Sequence, residues 1–383
     1  MAVEVPALAE FSDRLGTASW FSMIGEPLTP AEQTDAARYM SCLGLDEVET
    51  QGIGSWESAE ACIKSTDWNS DWWDAEDRLL VDLNPWVADR TLSRPVRGET
   101  VRPDGFTVEY WVMPPTTFER DANGDPLPHP TVLEIHGGPS AMWGPGESSM
   151  WHEFQVLCGR GYGVVYANPR GSGGYGEAFE RGNHQDWGAG PAGDVLAALD
   201  DAALAPWVDK DRLFVTGGSY GGYLTAWIIA NDQRFKAAVA QRGVYDLNTF
   251  FGEGNAWRLF EWAMGGPPWD ARLQSVIRRN NPFSYVNRIR TPLLILHASQ
   301  DLRTGVSQSE MMYRALKELD KPVEYVRYPN AGHDLSRTGD PHQRMDRLNR
   351  IVEFFERFVA NPRPAPRLGD EARGEDGGTS DQG

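Results

Sequence analysis

Short apolar runs alternate with amphipathic segments from residue 106 to residue 359. Seven runs are bounded by turn residues and rich in β-branched and aromatic residues, which is typical of buried strands. They are FTVEYWVMP (106–114), TVLEIH (131–136), GVVYA (163–167), RLFVTG (212–217), KAAVA (236–240), PLLILHA (292–298) and VEYVRY (323–328). Helical spacing is found in AGDVLAALDDAALA (192–205), YLTAWIIAN (223–231), SQSEMMYRALKEL (307–319) and MDRLNRIVEFFERFV (345–359). This alternation predicts an α/β fold with a mostly parallel, doubly wound sheet covered on both faces.

The beginning of the chain has a different pattern. Thr29–Glu32 form a capping box with proline at the first helical position, and Ser70 is predicted to cap a second helix with one apolar face. We therefore expect a short helical segment over 1–92 and an α/β domain over 93–360. The tail over 361–383 is rich in proline, glycine and charged residues, a composition typical of disorder.

Charge and cysteine content narrow the range of partners and compartments. A net charge of −19 disfavours nucleic acid and anionic membranes as partners, because both carry the same sign. No apolar run reaches the roughly 18 residues of a membrane helix, and the amino terminus lacks the basic and apolar regions of a signal peptide. Three cysteines at no metal-ligand spacing favour a reducing compartment. We expect a cytoplasmic protein that needs neither a metal nor a cofactor.

A glycine-rich turn carries a candidate nucleophile. Gly217–Gly221 read G-x-S-x-G between a predicted strand and a predicted helix, the context of a nucleophile elbow. The turn leaves the Ser219 hydroxyl at a helix N-terminus, where developing negative charge is favoured. Asp301 and His333 each follow a later predicted strand, at the sheet edge where ligand sites gather. The order serine, aspartate, histidine predicts a catalytic triad in which Ser219 attacks, His333 is the base and Asp301 holds the imidazole.

Two backbone N–H groups are predicted to stabilise an oxyanion. Tyr220 directly follows the nucleophile, so its N–H is one donor. The strand TVLEIH ends in HGGP (136–139), and the N–H of Gly138 is the second donor. The alternative is that HGGP is a plain turn that ends the strand.

These motifs resemble the prolyl oligopeptidase family of serine peptidases, particularly its acylaminoacyl-peptidase-like branch. The matching stretches are HGGP, NPRGSGGYG, GGSYGGY, GGPPW, SYVNRIRTPLLILHASQDLR and SQSEMMYRALKELDKPVEYVRYPNAGHDLSR. The resemblance implies an α/β-hydrolase fold over 93–360 and assigns the same triad. Members of the family usually carry a large β-propeller ahead of this domain. Residues 1–92 are too few for one, and we expect a propeller remnant or a replacement cap there.

The triad supports acyl transfer to water but does not separate amides from esters. We expect a peptidase acting on short or N-acylated peptides, and a carboxylesterase acting on small esters is the alternative. Arg258 and Trp257 are candidate substrate-binding residues. An alternative fits them equally: Arg258 is exposed on a cap helix, and Trp257 is one of several aromatic residues that pack against the protein. A further alternative is an inert hydrolase fold that binds a partner. The sequence leaves the formation of homo-oligomers open.

One loop matches the spacing of a dinucleotide-binding fingerprint. In NPRGSGGYG (168–176), Gly171, Gly173 and Gly176 follow a predicted strand in G-x-G-x-x-G order. A nicotinamide or flavin enzyme would require a helix that begins inside this loop. The chain continues instead as EAFERGNHQDWGAG. We therefore interpret the loop as a close-packed turn, with Arg170 and Tyr175 as structural braces.

Overall fold

The computed structural model describes residues 87, 89–145, 147 and 149–359. The helices predicted from Thr29 and Ser70 lie outside these residues, as does the tail 361–383. The predicted boundary between 1–92 and 93–360 therefore stays a prediction.

Eight strands form one sheet in the order β1-β2-β4-β3-β5-β6-β7-β8. They are β1 Val96–Val101, β2 Thr107–Met113, β3 His129–Ile135, β4 Gly163–Asn168, β5 Val208–Gly218, β6 Phe235–Gln241, β7 Leu293–Ala298 and β8 Val323–Tyr328. Strands β1, β2 and β4 pair in antiparallel fashion, and every pair from β4 to β8 is parallel. The predicted α/β architecture is confirmed.

Ten α-helices accompany the sheet in the part of the chain that is described. They are α1 Trp151–Gly159, α2 Glu177–Glu180, α3 Ala189–Ala202, α4 Tyr220–Asn231, α5 Leu247–Gly252, α6 Trp257–Met264, α7 Gln274–Asn280, α8 Ser307–Glu318, α9 Leu335–Thr338 and α10 Pro341–Glu356. Among the described residues, 3-10 turns also lie at Arg181–Asn183, Ala271–Leu273 and Pro282–Arg288. None of the described helices is long and apolar enough to cross a lipid bilayer.

Both faces of the sheet are buried under helices. Apolar side chains of α3, α4 and α8 pack on one face, while those of α1 and α10 pack on the other. Neighbouring residues of β4 illustrate the alternation, because Val165 points into the first core and Val164 into the second. The central strands β3, β4, β6 and β7 are therefore buried at nearly every position, as is typical of parallel strands covered on both sides.

The strand register brings the functional segments to one edge. Ile135 of β3 lies beside Gly217 of β5, and Gly218 lies beside Gln241 of β6. Gln241 in turn lies beside Leu296 of β7. The residues that follow these strands therefore leave the sheet at the same level, at its carboxyl edge, where α/β proteins place their ligands.

Candidate active site

Ser219 occupies a sharp turn between β5 and α4. Its backbone has φ 61° and ψ −119°, a conformation that non-glycine residues rarely adopt. The turn needs glycine nearby, because a Cβ placed on Gly221 would lie 2.1 Å from the carbonyl oxygen of Ile135. The Ser219 side chain does not cap the helix, so its hydroxyl remains available to a base.

Asp301 and His333 are joined by a hydrogen bond. Nδ1 of His333 donates to Oδ2 of Asp301 at 2.7 Å. The other carboxylate oxygen, Oδ1, accepts the N–H groups of Arg303 at 2.8 Å and Thr304 at 2.9 Å. Because the proton of the neutral imidazole is then on Nδ1, Nε2 is left as the basic nitrogen.

The environment favours a charged aspartate and a neutral histidine. Burial by itself would raise the pKa of Asp301, but hydrogen bonds from His297 and His333 and from the backbone of Thr304 hold it well below its usual range. For His333, burial lowers the pKa, the bond to Asp301 opposes this, and the nearby positive charge of Arg242 lowers the pKa further. At neutral pH the imidazole is therefore ready to accept a proton.

His297 is a part of this arrangement that the motifs did not predict. It is fully buried near the end of β7, and its Nε2 lies 2.8 Å from the carbonyl oxygen of Thr304 and 3.4 Å from Oδ2 of Asp301. Its Nδ1 lies 2.6 Å from Oγ of Ser309 on α8. The one feature of the sequence that could have indicated this role is the position of His297 inside the apolar run PLLILHA. His297 therefore connects the loop that contains Asp301 to β7 and to α8.

A cavity of about 460 Å³ opens at the carboxyl edge of the sheet. Its lining includes Ser219 and His333, together with Gly137 and Gly138 of the HGGP loop. Arg242, which follows β6, lies in the same wall. The structure thus brings the predicted nucleophile and base to one cavity, with the HGGP loop beside them.

The two predicted oxyanion donors occupy suitable backbone positions. Tyr220 is the first residue of α4, so its N–H has no acceptor within the helix. Its side chain points away into the core, where the hydroxyl donates to the carbonyl of Trp187 at 2.8 Å. Gly138 follows β3 and contributes to the cavity wall with φ 116°. The assignment of these two N–H groups to an oxyanion stays a prediction.

The loop with fingerprint spacing packs against the HGGP loop. Asn168 holds Trp143 at both backbone groups, because its side chain accepts from the N–H and donates to the carbonyl, each at 2.9 Å. The N–H of Gly173 donates to the carbonyl of Ser140 at 3.2 Å. His136 donates from Nδ1 to the carbonyl of Gly137 at 2.6 Å. Burial lowers the pKa of His136 to about 4, so the ring is neutral.

The two residues interpreted as braces are indeed anchored. Arg170 donates from Nε and Nη2 to the carboxylate of Asp194 at 2.8 Å each, and from Nη1 to Asp104 at 2.6 Å. The Tyr175 hydroxyl bonds to Glu109. These contacts confirm the structural interpretation of the loop.

Arg258 and Trp257 lie elsewhere. Both are exposed on α6, where the Arg258 guanidinium lies 5.2 Å from the centre of the Trp257 ring. Neither belongs to the described residues that line the cavity. The structure therefore does not bring them to Ser219 and His333, and their role in substrate binding stays a prediction.

Comparison with known proteins supplies the family. The model of the prolyl oligopeptidase family matches residues 148–361, more than half of the chain. The chain belongs to this family. The predicted resemblance to this serine peptidase family is thereby confirmed, and with it the α/β-hydrolase fold.

Two protein sequences illustrate the relationship. The uncharacterized peptidase YuxL of Bacillus subtilis is 40% identical over 287 residues, which cover 74% of this chain and 42% of YuxL. Dipeptidyl-peptidase 5 of Porphyromonas gingivalis is 29% identical over 234 residues, which cover 60% of this chain and 33% of that protein.

Solved structures of the prolyl oligopeptidase family agree. The acylaminoacyl peptidase of Pyrococcus horikoshii superposes with a TM-score of 0.68 at 29% identity, covering 75% of this chain and 45% of that one. A puromycin-hydrolyzing peptidase of Mycobacterium tuberculosis gives 0.64 at 28% identity, covering 71% and 40%. The chain spans less than half the length of each of these four relatives.

Proposed function

We propose that the protein is a serine hydrolase that cleaves amide bonds of short or N-acylated peptides through a covalent acyl-enzyme. Ser219 is the nucleophile, His333 the general base and acid, and Asp301 the group that orients the imidazole. The hydrogen bond between His333 and Asp301 carries this proposal, because it fixes the tautomer that leaves Nε2 as the basic nitrogen of a histidine that lines the same cavity as Ser219.

The proposed reaction has two half-reactions. Oγ of Ser219 attacks the carbonyl carbon while its proton passes to Nε2 of His333. The N–H groups of Tyr220 and Gly138 stabilise the oxyanion of the tetrahedral intermediate. The carbon–nitrogen bond then breaks, and the leaving amine takes the proton from His333. Water then attacks the acyl carbon while its proton passes to Nε2 of His333. The ester bond to Oγ of Ser219 breaks, Oγ takes the proton from His333, and the acid leaves.

The relatives support amide bonds as the substrate class. The names of the similar proteins describe an acylaminoacyl peptidase, a dipeptidyl-peptidase and a puromycin-hydrolyzing peptidase. We extend only their shared feature, hydrolysis at an acyl group attached to nitrogen, to this chain.

A fluorophosphonate probe tests the nucleophile. We expect the probe to label the wild-type protein at Ser219 and to leave Ser219→Ala unlabelled. Ser149→Ala is the matched control, because Ser149 lies in the wall of the same cavity and is given no catalytic role. A folded wild-type protein that takes up no probe would contradict the proposal and favour an inert, partner-binding fold.

A panel of substrates tests the bond that is cleaved. Acyl-amino-acid anilides are compared with short-chain nitrophenyl esters, using Ser219→Ala to subtract background hydrolysis. We expect the wild-type protein to cleave the anilides. Rapid ester turnover without any amide cleavage would instead identify the protein as a carboxylesterase.

A further inference from the structure

Arg242 is a buried cation in the wall of the candidate active site. It follows β6 with φ 41°, and its side chain lines the cavity that contains Ser219 and His333. The residue is 8% exposed. Its guanidinium packs on the backbone of Gly218, because a Cβ built on that glycine would lie 2.9 Å from Cζ. The charge therefore lies beside the residue that precedes the nucleophile.

The guanidinium of Arg242 is incompletely satisfied. Among the described residues its one side-chain hydrogen bond runs from Nη2 to Oγ of Ser336, at 3.0 Å. Nε is buried without an acceptor. The backbone is well held, since its N–H donates to Leu296 at 2.7 Å and its carbonyl accepts from Thr304 at 2.9 Å. The side chain is thus fixed in place without an ion-pair partner in the part of the chain that is described.

The neighbouring carboxylates are already engaged. Asp301 pairs with His333, and Glu153 pairs with Arg347 at 2.6 Å. Within the cavity wall, Asp334 pairs with Arg337.

Glu147 also lines the cavity, where its Oε1 accepts the N–H of Ser149 at 3.0 Å. The pKa of Arg242 is lowered to about 9 by burial and by the positive charges of Arg347 and Arg337. A cation in such surroundings is stabilised by an anion that enters the cavity.

We propose that Arg242 binds a carboxylate of the substrate on the side of the leaving group. This inference rests on the proposed function, which makes Ser219 the nucleophile and His333 the proton donor to the leaving amine. Arg242 is held by Ser336, three residues after His333, and it lines the same cavity as His333, the group that meets that amine. The substrate class is a short peptide or N-acylated amino acid whose leaving group is a carboxy-terminal residue with a free carboxylate.

Matched substrate pairs test this preference in the intact protein. N-acetyl dipeptides are assayed as free acids and as carboxy-terminal amides. We expect kcat/KM to be about tenfold or more higher for the acids, the range expected for a hydrogen bond to a charged group. In Arg242→Gln the ratio of acid to amide falls to near one, mainly through KM, and Arg242→Lys restores part of it. Arg314→Gln, on the exposed surface of α8, keeps the wild-type ratio.

A second substrate pair identifies the source of the carboxylate. Amidated peptides with a carboxy-terminal glutamate are compared with their glutamine counterparts. If Arg242 binds the main-chain carboxylate of the substrate, the two amidated peptides are cleaved equally. A preference for glutamate that Arg242→Gln abolishes would overturn the assignment to the main-chain carboxylate. Wild-type protein without any acid preference, or a variant that slows acids and amides equally, would overturn carboxylate binding itself.

Calorimetry separates this inference from the proposed function. The Ser219→Ala variant is titrated with an N-acetyl dipeptide and with its amide. The titration is repeated with a double variant that carries both Ser219→Ala and Arg242→Gln. We expect tighter binding of the acid that disappears in the double variant. Such a result without any turnover by the wild type would refute the peptidase proposal and keep the carboxylate site. Equal binding of acid and amide would refute the carboxylate site whatever the activity.

Discussion

Asp301 is the most extensively bonded side chain of the candidate site. Its carboxylate accepts from two backbone N–H groups and from Nδ1 of His333, with His297 close behind. An amide in its place would present an NH2 group or a weaker acceptor to Nδ1 and favour the wrong tautomer of the imidazole.

We therefore expect Asp301→Asn to lower kcat by about 10³- to 10⁴-fold with little change in folding. Single-turnover kinetics with the best anilide of the panel would measure this loss. Asp211→Asn, at an exposed position in β5, serves as the control. An Asp301→Asn protein with wild-type kcat would remove this residue from the mechanism.

The lowered pKa of His333 determines how the activity depends on pH. The basic form is the neutral imidazole, so kcat/KM should fall as the pH drops through the pKa of the free protein. Because burial lowers this pKa below the ordinary 6.5, the acidic limb of the pH profile should lie below pH 6.5. Removing the charge in Arg242→Gln should move the acidic limb to higher pH, while Arg314→Gln should not move it. A limb unchanged by Arg242→Gln would show that the two groups do not interact.

The residues of the site differ in how far a sequence reveals them. Ser219, Asp301 and His333 were predicted because each follows an apolar strand and the three occur in a known order. Arg242 also follows an apolar strand, but a lone arginine belongs to no motif. His297 was hidden because its partners come from α8 and a loop. Burial and hydrogen-bond partners depend on distant segments, which local patterns do not report.

At the scale of loops, Gly173 joins the fingerprint-like segment to the HGGP loop. A Cβ on Gly173 would lie 2.8 Å from the carbonyl oxygen of Ser140, an atom of the backbone that has little freedom to retreat. The two loops pack closely beside the nucleophile, and this packing requires glycine. It explains why a glycine spacing typical of a phosphate-binding loop occurs at this position.

Gly173→Ala should push the HGGP loop away from Ser219. We expect the free energy of unfolding to fall by about 1–3 kcal/mol, the usual range for overpacking, and kcat/KM to fall as Gly138 moves. Urea unfolding and anilide kinetics would measure the two effects. Gly159→Ala is the control, since a Cβ there meets no atom within 4 Å. If both variants behave alike, the contact between the loops does not support the site.

The elements themselves were predicted unevenly. The seven apolar runs all became strands. In β3, β4, β6 and β7 burial on both faces produces a continuous apolar run that is visible from the sequence alone. Strand β1 was missed, since VRGETV is polar and exposed along much of its length. Helix α1 was missed as well, because WHEFQVLCG has only weak amphipathic character. The four-residue helices α2 and α9 are too short for any periodicity to appear.

Across the whole molecule, a buried polar network connects the second core to the active edge. Arg347 of α10 donates to Gln241 at the end of β6 at 2.7 Å and to Glu153 of α1 at 2.6 Å. Glu134 of β3 is fully buried beside them, and neither of its carboxyl oxygens has a hydrogen-bond partner. Oε1 of Glu153 also lacks a partner. Protonation of Glu134 would remove the repulsion between two buried carboxylates. A protonated carboxyl group can also donate a hydrogen bond, which a carboxylate cannot.

The pKa of Glu134 is raised well above its usual value by burial and by the negative charge of Glu153. Its contribution to stability is thus fully present below the unfolded-state pKa of about 4.3 and is lost as the pH rises through the folded-state pKa. Glu134→Gln keeps the shape and removes the titration. The free energy of unfolding of the variant, minus that of the wild type, should therefore increase from pH 5 to pH 9.

The difference in unfolding free energy between Glu134→Gln and the wild type changes by at most about 1.4 kcal/mol per pH unit. Urea unfolding at several pH values measures the difference, and Glu177→Gln, whose side chain is 80% exposed, should give a flat line. A flat line for Glu134→Gln as well would mean that the folded protein holds this carboxylate charged, with Arg347 shared between two acids.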